Sequence, residues 1–532
     1  MTDASITSSL KSKLIKGAAG TFGLRLMYTA LTFGSSVVFA RMLGSEGFGL
    51  YTFAVVWAYL LSIPATLGFD SFIVREMAVY RGRRQWGLMR GLLRWVNETV
   101  LGVSAGLALI AIIVAWLLIP EDASNTFWAL CIAMVFMPAL SLRNTRRGAM
   151  RGLHAVVKGV LPEFLIDPLI LIGLTLLAYG FLQEALSPLW VVLFYGMGTT
   201  LTLIILNGFL NRELPAAVKA AKPVFQAKYW LSSALPFILI ESIPIINSRT
   251  DVLMIGLFQD VNAVGLYVPV NRGGQMIGFI LMAVGSTLAP MVARAYSDGR
   301  LSDLQSTITK SVRAVVLVAF LFSVAFIVGG RWYLLLFGEE FLPGQRALSI
   351  LCVGKFIATS VGLSHLVLNM TGHERYAANV AWMMTLLNVI LNAIFIPAWG
   401  VDGAALATSI SLVSGGLASL MAVRGKLGID MTLMGRSVAA IEKEMPLDAE
   451  DPWDEPWKGR ALLKREDSSG GDVSREQASS AGNLLTDEEE RLTHNPHEQR
   501  KNHRQIKRNR QGRIIGRGRA SGRRRRSSGR RK

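Results

Sequence analysis

Apolar runs of about 20 residues recur from residue 16 to residue 423, and they constrain the fold more than any other feature of the chain. A run of that length crosses the hydrocarbon core of a bilayer as a helix, because every backbone N–H and C=O must then be bonded within the segment itself. The runs predict an all-α polytopic membrane protein with about twelve spanning helices, at residues 16–40, 48–69, 92–119, 126–142, 160–181, 188–209, 230–258, 264–291, 311–329, 347–370, 376–396 and 403–423. Composition agrees. The 532 residues are 51% hydrophobic and 17% charged, against about 25% charged in an average soluble domain.

The connections alternate in sign. Arg75, Arg81, Arg83, Arg84 and Arg90 fall between helices two and three, and Arg143, Arg146, Arg147, Arg151 and Lys158 between four and five. Arg212, Lys219, Lys222 and Lys228 follow helix six, and Arg294, Arg300 and Lys310 follow helix eight. The intervening connections, such as residues 120–122 and 259–260, are short and mostly acidic or neutral. Positive loops stay in the cytoplasm, so both termini are expected inside. The first apolar run is long and carries Arg25, which does not fit a cleaved signal peptide.

Short motifs repeat at a nearly constant offset. Gly49-Leu50-Tyr51 returns as Gly265-Leu266-Tyr267, 216 residues on. Met150-x-Gly152 returns as Met370-x-Gly372, and Ala178-Tyr179-Gly180 as Ala398-Trp399-Gly400, both at 220. Two six-helix, pseudo-symmetric bundles follow from this, at residues 16–210 and 230–425, joined by a cytoplasmic linker at 211–229 and preceded by a cytoplasmic N-terminus at 1–15. Transporters commonly place their site between such repeats.

The last hundred residues differ. Residues 430–499 hold 8 basic and 17 acidic side chains, and residues 500–532 hold 16 lysines and arginines and no acid, which leaves +12 of the net +19 on residues 1–429. A segment of this composition cannot bury enough apolar surface to fold alone. Residues 426–532 are expected to form a disordered, acidic-then-basic cytoplasmic tail. Its arginines could rest on anionic lipid, and no specific nucleic acid is implied.

Ionisable residues at membrane depth are costly and mark a substrate or ion route. Residues 247–274 are the richest stretch: Arg249 and Asp251 lie before a polar turn and Arg272 after it. With Arg25 in helix one and Lys355 in helix ten, Arg249 and Arg272 are the candidate substrate-binding cations, since a guanidinium donates two parallel hydrogen bonds to a phosphate. Glu241, Asp251, Glu163 and Asp167 are candidate coupling or gating acids, and the 216-residue offset sets Glu241 opposite Arg25. Proline and glycine interrupt helices seven and eight at Pro236, Pro244, Pro269 and Gly273-Gly274, where bundles could hinge. The histidines are scattered, Cys131 and Cys352 are isolated in apolar runs, and no phosphate-binding loop occurs. No metal, no cofactor and no enzymatic chemistry is therefore expected. A glycan polymerase or transferase would need a larger external loop than any here, and an adaptor role would rest on the tail alone.

Three motifs carry a family resemblance: F-A-R-M-L-G-S-E-G-F-G-L-Y at 39–51, T-D-V-L-M-I-G-L-F-x(4)-A-V-G-L-Y at 250–267 and N-V-I-L-N-A-I-F-I-P-A-W-G-V-D-G-A-A-L-A-T at 388–408. Over residues 10–425 the chain resembles the polysaccharide-type flippases of the multidrug/oligosaccharidyl-lipid/polysaccharide exporter superfamily. The resemblance implies two bundles around a central cavity in a bacterial inner membrane. It also implies translocation of a lipid-pyrophosphate-linked oligosaccharide for surface polysaccharide synthesis, with polysaccharide-assembly proteins as further partners. Arg25 and Arg272 fall where such transporters often carry arginine, whereas Arg249 and Lys355 match more loosely. The alternative within the superfamily is a cation-coupled multidrug-type exporter. Helix one holds Arg25 and no acid in its core, which speaks against that branch.

Overall fold

The computed structural model describes residues 3–182, 186–298 and 300–432, with side chains from residue 23 onward except at 182, 239–241, 244, 301 and 302. The expected tail falls almost wholly outside these residues. Those described form helices and turns, with no strand among them. In order the helices are α1 (Asp3–Thr66), α2 (Phe69–Gly82), α3 (Trp86–Leu118), α4 (Ser124–Gly152), α5 (Val156–Leu161), α6 (Asp167–Leu182), α7 (Pro188–Glu213), α8 (Ala216–Ala220), α9 (Ala227–Phe258), α10 (Val261–Ser297), α11 (Leu301–Val328), α12 (Gly330–Leu335), α13 (Gln345–Val361), α14 (Leu363–Met370) and α15 (Glu374–Leu427).

Nine stretches among the described residues are long and apolar enough to cross a bilayer. Two of them, Gly23–Thr66 and Glu374–Leu427, are each two crossings, because Gly44 (φ 70°) and Gly400 (φ 53°) break the helix with a backbone conformation that favours glycine. A further helix, α9, is 32 residues long but carries Lys228, Glu241, Arg249 and Asp251. Counting it gives the twelve crossings the sequence predicts.

Several helices outrun their predicted ends. Helix α1 begins at Asp3 rather than residue 16, and α4 continues to Gly152 rather than stopping at 142. Arg143, Arg146, Arg147 and Arg151 are thus helical and not loop residues. Each finds a partner inside: Arg146 donates to Asn97 Oδ1, Arg147 pairs with Glu163, Arg143 with Asp167, and Arg151 reaches the Asp70 carbonyl at 3.4 Å. A charge so paired can lie at a depth that excludes a bare one.

The two halves meet tightly at the end opposite the basic connections. A methyl group on Gly49 would overlap the Val261 carbonyl oxygen, and one on Gly265 would overlap the Ser45 carbonyl oxygen. Ser45 and Val261 are themselves 216 residues apart, so the repeated Gly-Leu-Tyr motifs cross reciprocally about a local pseudo-two-fold axis. Around this crossing Arg41 donates from Nε to the Leu336 carbonyl (2.7 Å) and from Nη2 to the Leu335 carbonyl (2.8 Å), and Ser45 donates to Glu340 Oε2 (3.1 Å). The largest apolar core lies here, joining Phe39, Phe48 and Phe53 to Val264, Phe337 and Leu348. At the basic end α9 starts against the first half, with Trp230 buried among Phe69, Phe72 and Trp95 and donating to the Tyr80 hydroxyl at 3.0 Å.

A branched side chain at the crossing cannot be accommodated, so Gly265→Leu should force the halves apart there. With Cys131 and Cys352 replaced by serine, cysteines at positions 45 and 340 should be joined by a short bifunctional crosslinker in membranes, and adding Gly265→Leu should abolish the link. Undiminished crosslinking would contradict this packing.

Candidate functional site

Helices α9 and α10 form a hairpin that turns at Gln259 and Asp260, and Asp260 caps α10 by accepting from Ala263 N–H at 2.7 Å. The hairpin brings Arg249 and Arg272 into one neighbourhood, where each acts electrostatically on the other. Both are half-buried. Neither makes an ion pair with a carboxylate among the described side chains, and Arg272 Nε is shielded from solvent with no hydrogen-bond partner. The surroundings are phenolic. Tyr28 and Tyr51 of α1 and Tyr333 of α12 lie within electrostatic reach of Arg272. The Arg249 guanidinium carbon sits 5.4 Å from the ring centroid of Tyr59.

A second layer of paired charge stands behind these tyrosines. Arg143, 1% exposed, pairs with Asp167 and also donates to the Tyr59 hydroxyl at 3.3 Å. Arg147 pairs with Glu163, one helical turn before Asp167. Glu163 belongs to a π turn at Pro162–Ile166, followed by Pro168; each proline removes one N–H from the helical ladder. In sum, Glu163 and Asp167 are paired with α4 arginines, while Arg249 and Arg272 have no carboxylate partner among the described side chains and lie near tyrosine hydroxyls. Two guanidinium forks so placed suit an oxygen-rich anion such as a phosphate or pyrophosphate.

The other predicted residues lie elsewhere. Arg25 is exposed on α1. It edges an apolar groove of about 370 Å³ with Leu26, Met276, Phe279, Val318 and Phe322, of which Met276 is one turn beyond Arg272. Asp251 does not pair with Arg249, because residues two apart on a helix point to different faces. It is 3% exposed and accepts from Tyr267 Oη (2.7 Å), Asn392 Nδ2 (2.9 Å) and Thr408 Oγ1 (2.7 Å), tying α9 to α10 and to both crossings of α15. Lys355 is half-buried on α13, its stem against Gly274 and its charge within reach of Asp251. The Glu241 side chain lies outside the described residues. A larger hollow of about 1150 Å³ opens at the end opposite the basic connections, between Trp57, Leu107, Val114 and Leu257, with Glu46, Asp122 and Asp260 among its lining. Its walls are apolar and its charges have the wrong sign for a phosphate.

Sequence reasoning missed Arg143 and Arg147 by assigning them to a loop. It also passed over Tyr28, Tyr51, Tyr59, Tyr267 and Thr408, since neutral hydroxyls at membrane depth carry no sign of their own. Asn388 and Asn392 did leave a trace: two amides four apart in an apolar helix share a face.

Three comparisons locate the chain among known proteins. The sequence pattern of the family described as polysaccharide biosynthesis protein matches residues 14–296, and the MatE pattern matches residues 233–394. The chain belongs to the polysaccharide biosynthesis protein family. Its apolar helices make it a multi-pass membrane protein, and probable flippases are among its relatives. It is 25% identical over 399 residues to the probable low-salt glycan biosynthesis flippase Agl15 of Haloferax volcanii, covering 74% of this chain and 79% of that one. With the probable flippase AglR of the same organism it shares 23% over 287 residues, covering 53% and 56%. The fold is similar to that of the lipid II flippase MurJ in an inward closed conformation (TM-score 0.62, 16% identity, 77% of this chain and 87% of that one). It is also similar to an inward-facing multidrug resistance MATE family transporter (TM-score 0.61, 13% identity, 79% and 96%).

Asp167→Asn should leave Arg143 buried without a counter-charge and cost about 3–5 kcal/mol. The double replacement Arg143→Met with Asp167→Leu removes both charges and should recover most of that loss, as read from the melting temperature of detergent-purified protein. A double variant no more stable than Asp167→Asn would contradict the pairing.

Proposed function

We propose that this protein flips a lipid-pyrophosphate-linked oligosaccharide from the cytoplasmic to the outer leaflet of the plasma membrane, for assembly of a surface polysaccharide. The observation that carries the reading is the Arg249–Arg272 neighbourhood, two positive charges on one helical hairpin with no carboxylate partner among the described side chains. A pyrophosphate is the complementary group, and a bare guanidinium at that depth is otherwise costly. The apolar groove beside Arg25 supports the rest: the polyprenyl chain stays against hydrocarbon walls while its headgroup passes along α10 from Arg25 to Arg272. The family and the flippases among its relatives support the same class of cargo.

Transport then proceeds by alternating access. The headgroup enters from the basic end, which the positive-inside rule assigns to the cytoplasm. Release on the far side requires the Gly49–Gly265 crossing to part. Glu163 and Asp167 are bonded to arginines, so among the described acids Asp251, held by neutral donors and near Lys355, is the candidate for coupling to an ion. The resemblance implies a bacterial inner membrane, with assembly proteins nearby. A multidrug-type exporter of amphipathic cations is the competing reading, suggested by the MatE match. Two uncancelled arginines would repel such a cargo.

Arg272→Ala and Arg249→Ala should each slow flipping of a polyprenyl-pyrophosphoryl glycan in proteoliposomes by about 10- to 100-fold, the loss expected of one charge-assisted contact. Arg25→Ala should also slow it, by weakening entry. Wild-type rates in both Arg249→Ala and Arg272→Ala at equal protein incorporation would refute the site.

A further inference from the structure

Arg249 and Arg272 are like charges on the two arms of one hairpin, α9 and α10, about equally far from its turn at Gln259 and Asp260. An arginine side chain has many rotamers, and like charges favour those that move it away from its neighbour. Something must hold Arg249 where an anion could use both guanidinium groups together. No carboxylate among the described side chains does so. The contact present is the face of Tyr59, 5.4 Å from ring centroid to guanidinium carbon. That is within the range at which the ring quadrupole attracts a cation. Tyr59 belongs to the second crossing of α1, so the contact runs from the first half of the chain to the second.

The ring is itself anchored. Arg143 donates to its hydroxyl at 3.3 Å, and Arg143 is pinned by Asp167. The order Asp167, Arg143, Tyr59, Arg249, Arg272 is thus continuous from α6 to α10.

We infer that Tyr59 is a positioning residue of the anion site: its ring face holds Arg249 beside Arg272, so that one pyrophosphate is met by both arginines. A carboxylate in that position would have neutralised Arg249. The π face attracts the cation and leaves its charge available to an anion. The inference rests on the reading under Proposed function and names a residue that reading does not use.

The test is binding of inorganic pyrophosphate to purified full-length protein in nanodiscs, measured by calorimetry. Position 59 carries phenylalanine, 4-fluoro-, 3,5-difluoro- or 3,4,5-trifluorophenylalanine, introduced by nonsense suppression. Fluorine drains the ring face of negative potential while nearly preserving shape. Affinity should fall stepwise with each fluorine, by about 2- to 30-fold across the series. The same series in an Arg249→Ala background should be flat. Tyr59→Phe keeps the face but gives up the bond from Arg143 that anchors it, so it is the unfluorinated reference of the series and should bind a little more weakly than wild type. Equal affinity across the series, or a slope that persists without Arg249, would overturn the inference while leaving the pyrophosphate site standing. Failure of the wild-type protein to bind pyrophosphate would remove the site itself, and this inference with it.

Discussion

Positive charge with no counter-ion among the described side chains, held among membrane helices, is the constraint on which the rest of this structure depends. A guanidinium taken from water loses its hydration, and the loss is tolerable only if hydrogen bonds, a carboxylate or a polarisable face replace it. The α4 arginines take the first two routes, through Asn97, Glu163 and Asp167. Arg249 takes the third on Tyr59, and Arg272 is left with an unbonded Nε among phenols. The contrast separates arginines with a carboxylate or amide partner from arginines with none among the described side chains, within one set of helices. The paired arginines tie α4 to Asn97 of α3, to Glu163 in the turn before α6 and to Asp167 at its start.

The packing of the two halves gives that charge a direction. At the end away from the basic connections the halves touch backbone to backbone at Gly49 and Gly265, and Arg41 and Glu340 add bonds across the crossing. The reciprocity of that contact is the physical meaning of the repeated Gly-Leu-Tyr motif: only glycine lets the two helices approach so closely. Asp251 does comparable work inside the second half, gathering α9, α10 and α15 around one carboxylate. A hairpin held at its tip by the crossing and at its middle by Asp251 keeps Arg249 and Arg272 in register with each other.

Much of the architecture was legible in the sequence because the bilayer restricts the solutions so severely. Run length and the sign of the connections gave the number of crossings. The repeat offset gave the two halves, but that the repeated glycines meet each other is seen only in the folded chain. The ends of α4 were misread because a charge was taken to mean a loop, and only the folded chain supplies Glu163 and Asp167 as partners. The candidate site was half legible. Arg249 and Arg272 stood out as charge at depth, whereas Arg25 was grouped with them by the same criterion yet lies exposed beside the apolar groove. Tyr59 was invisible, since a tyrosine in an apolar helix announces nothing until its neighbours are known.

The account stands or falls on whether charge recognition governs what is moved. The most direct measurement is a competition in proteoliposomes containing the wild-type protein, offering two polyprenyl lipids with the same glycan, one joined through pyrophosphate and one through a neutral linkage. The account predicts that the pyrophosphate lipid crosses and that the neutral one remains in its original leaflet. Equal movement of the two would contradict it.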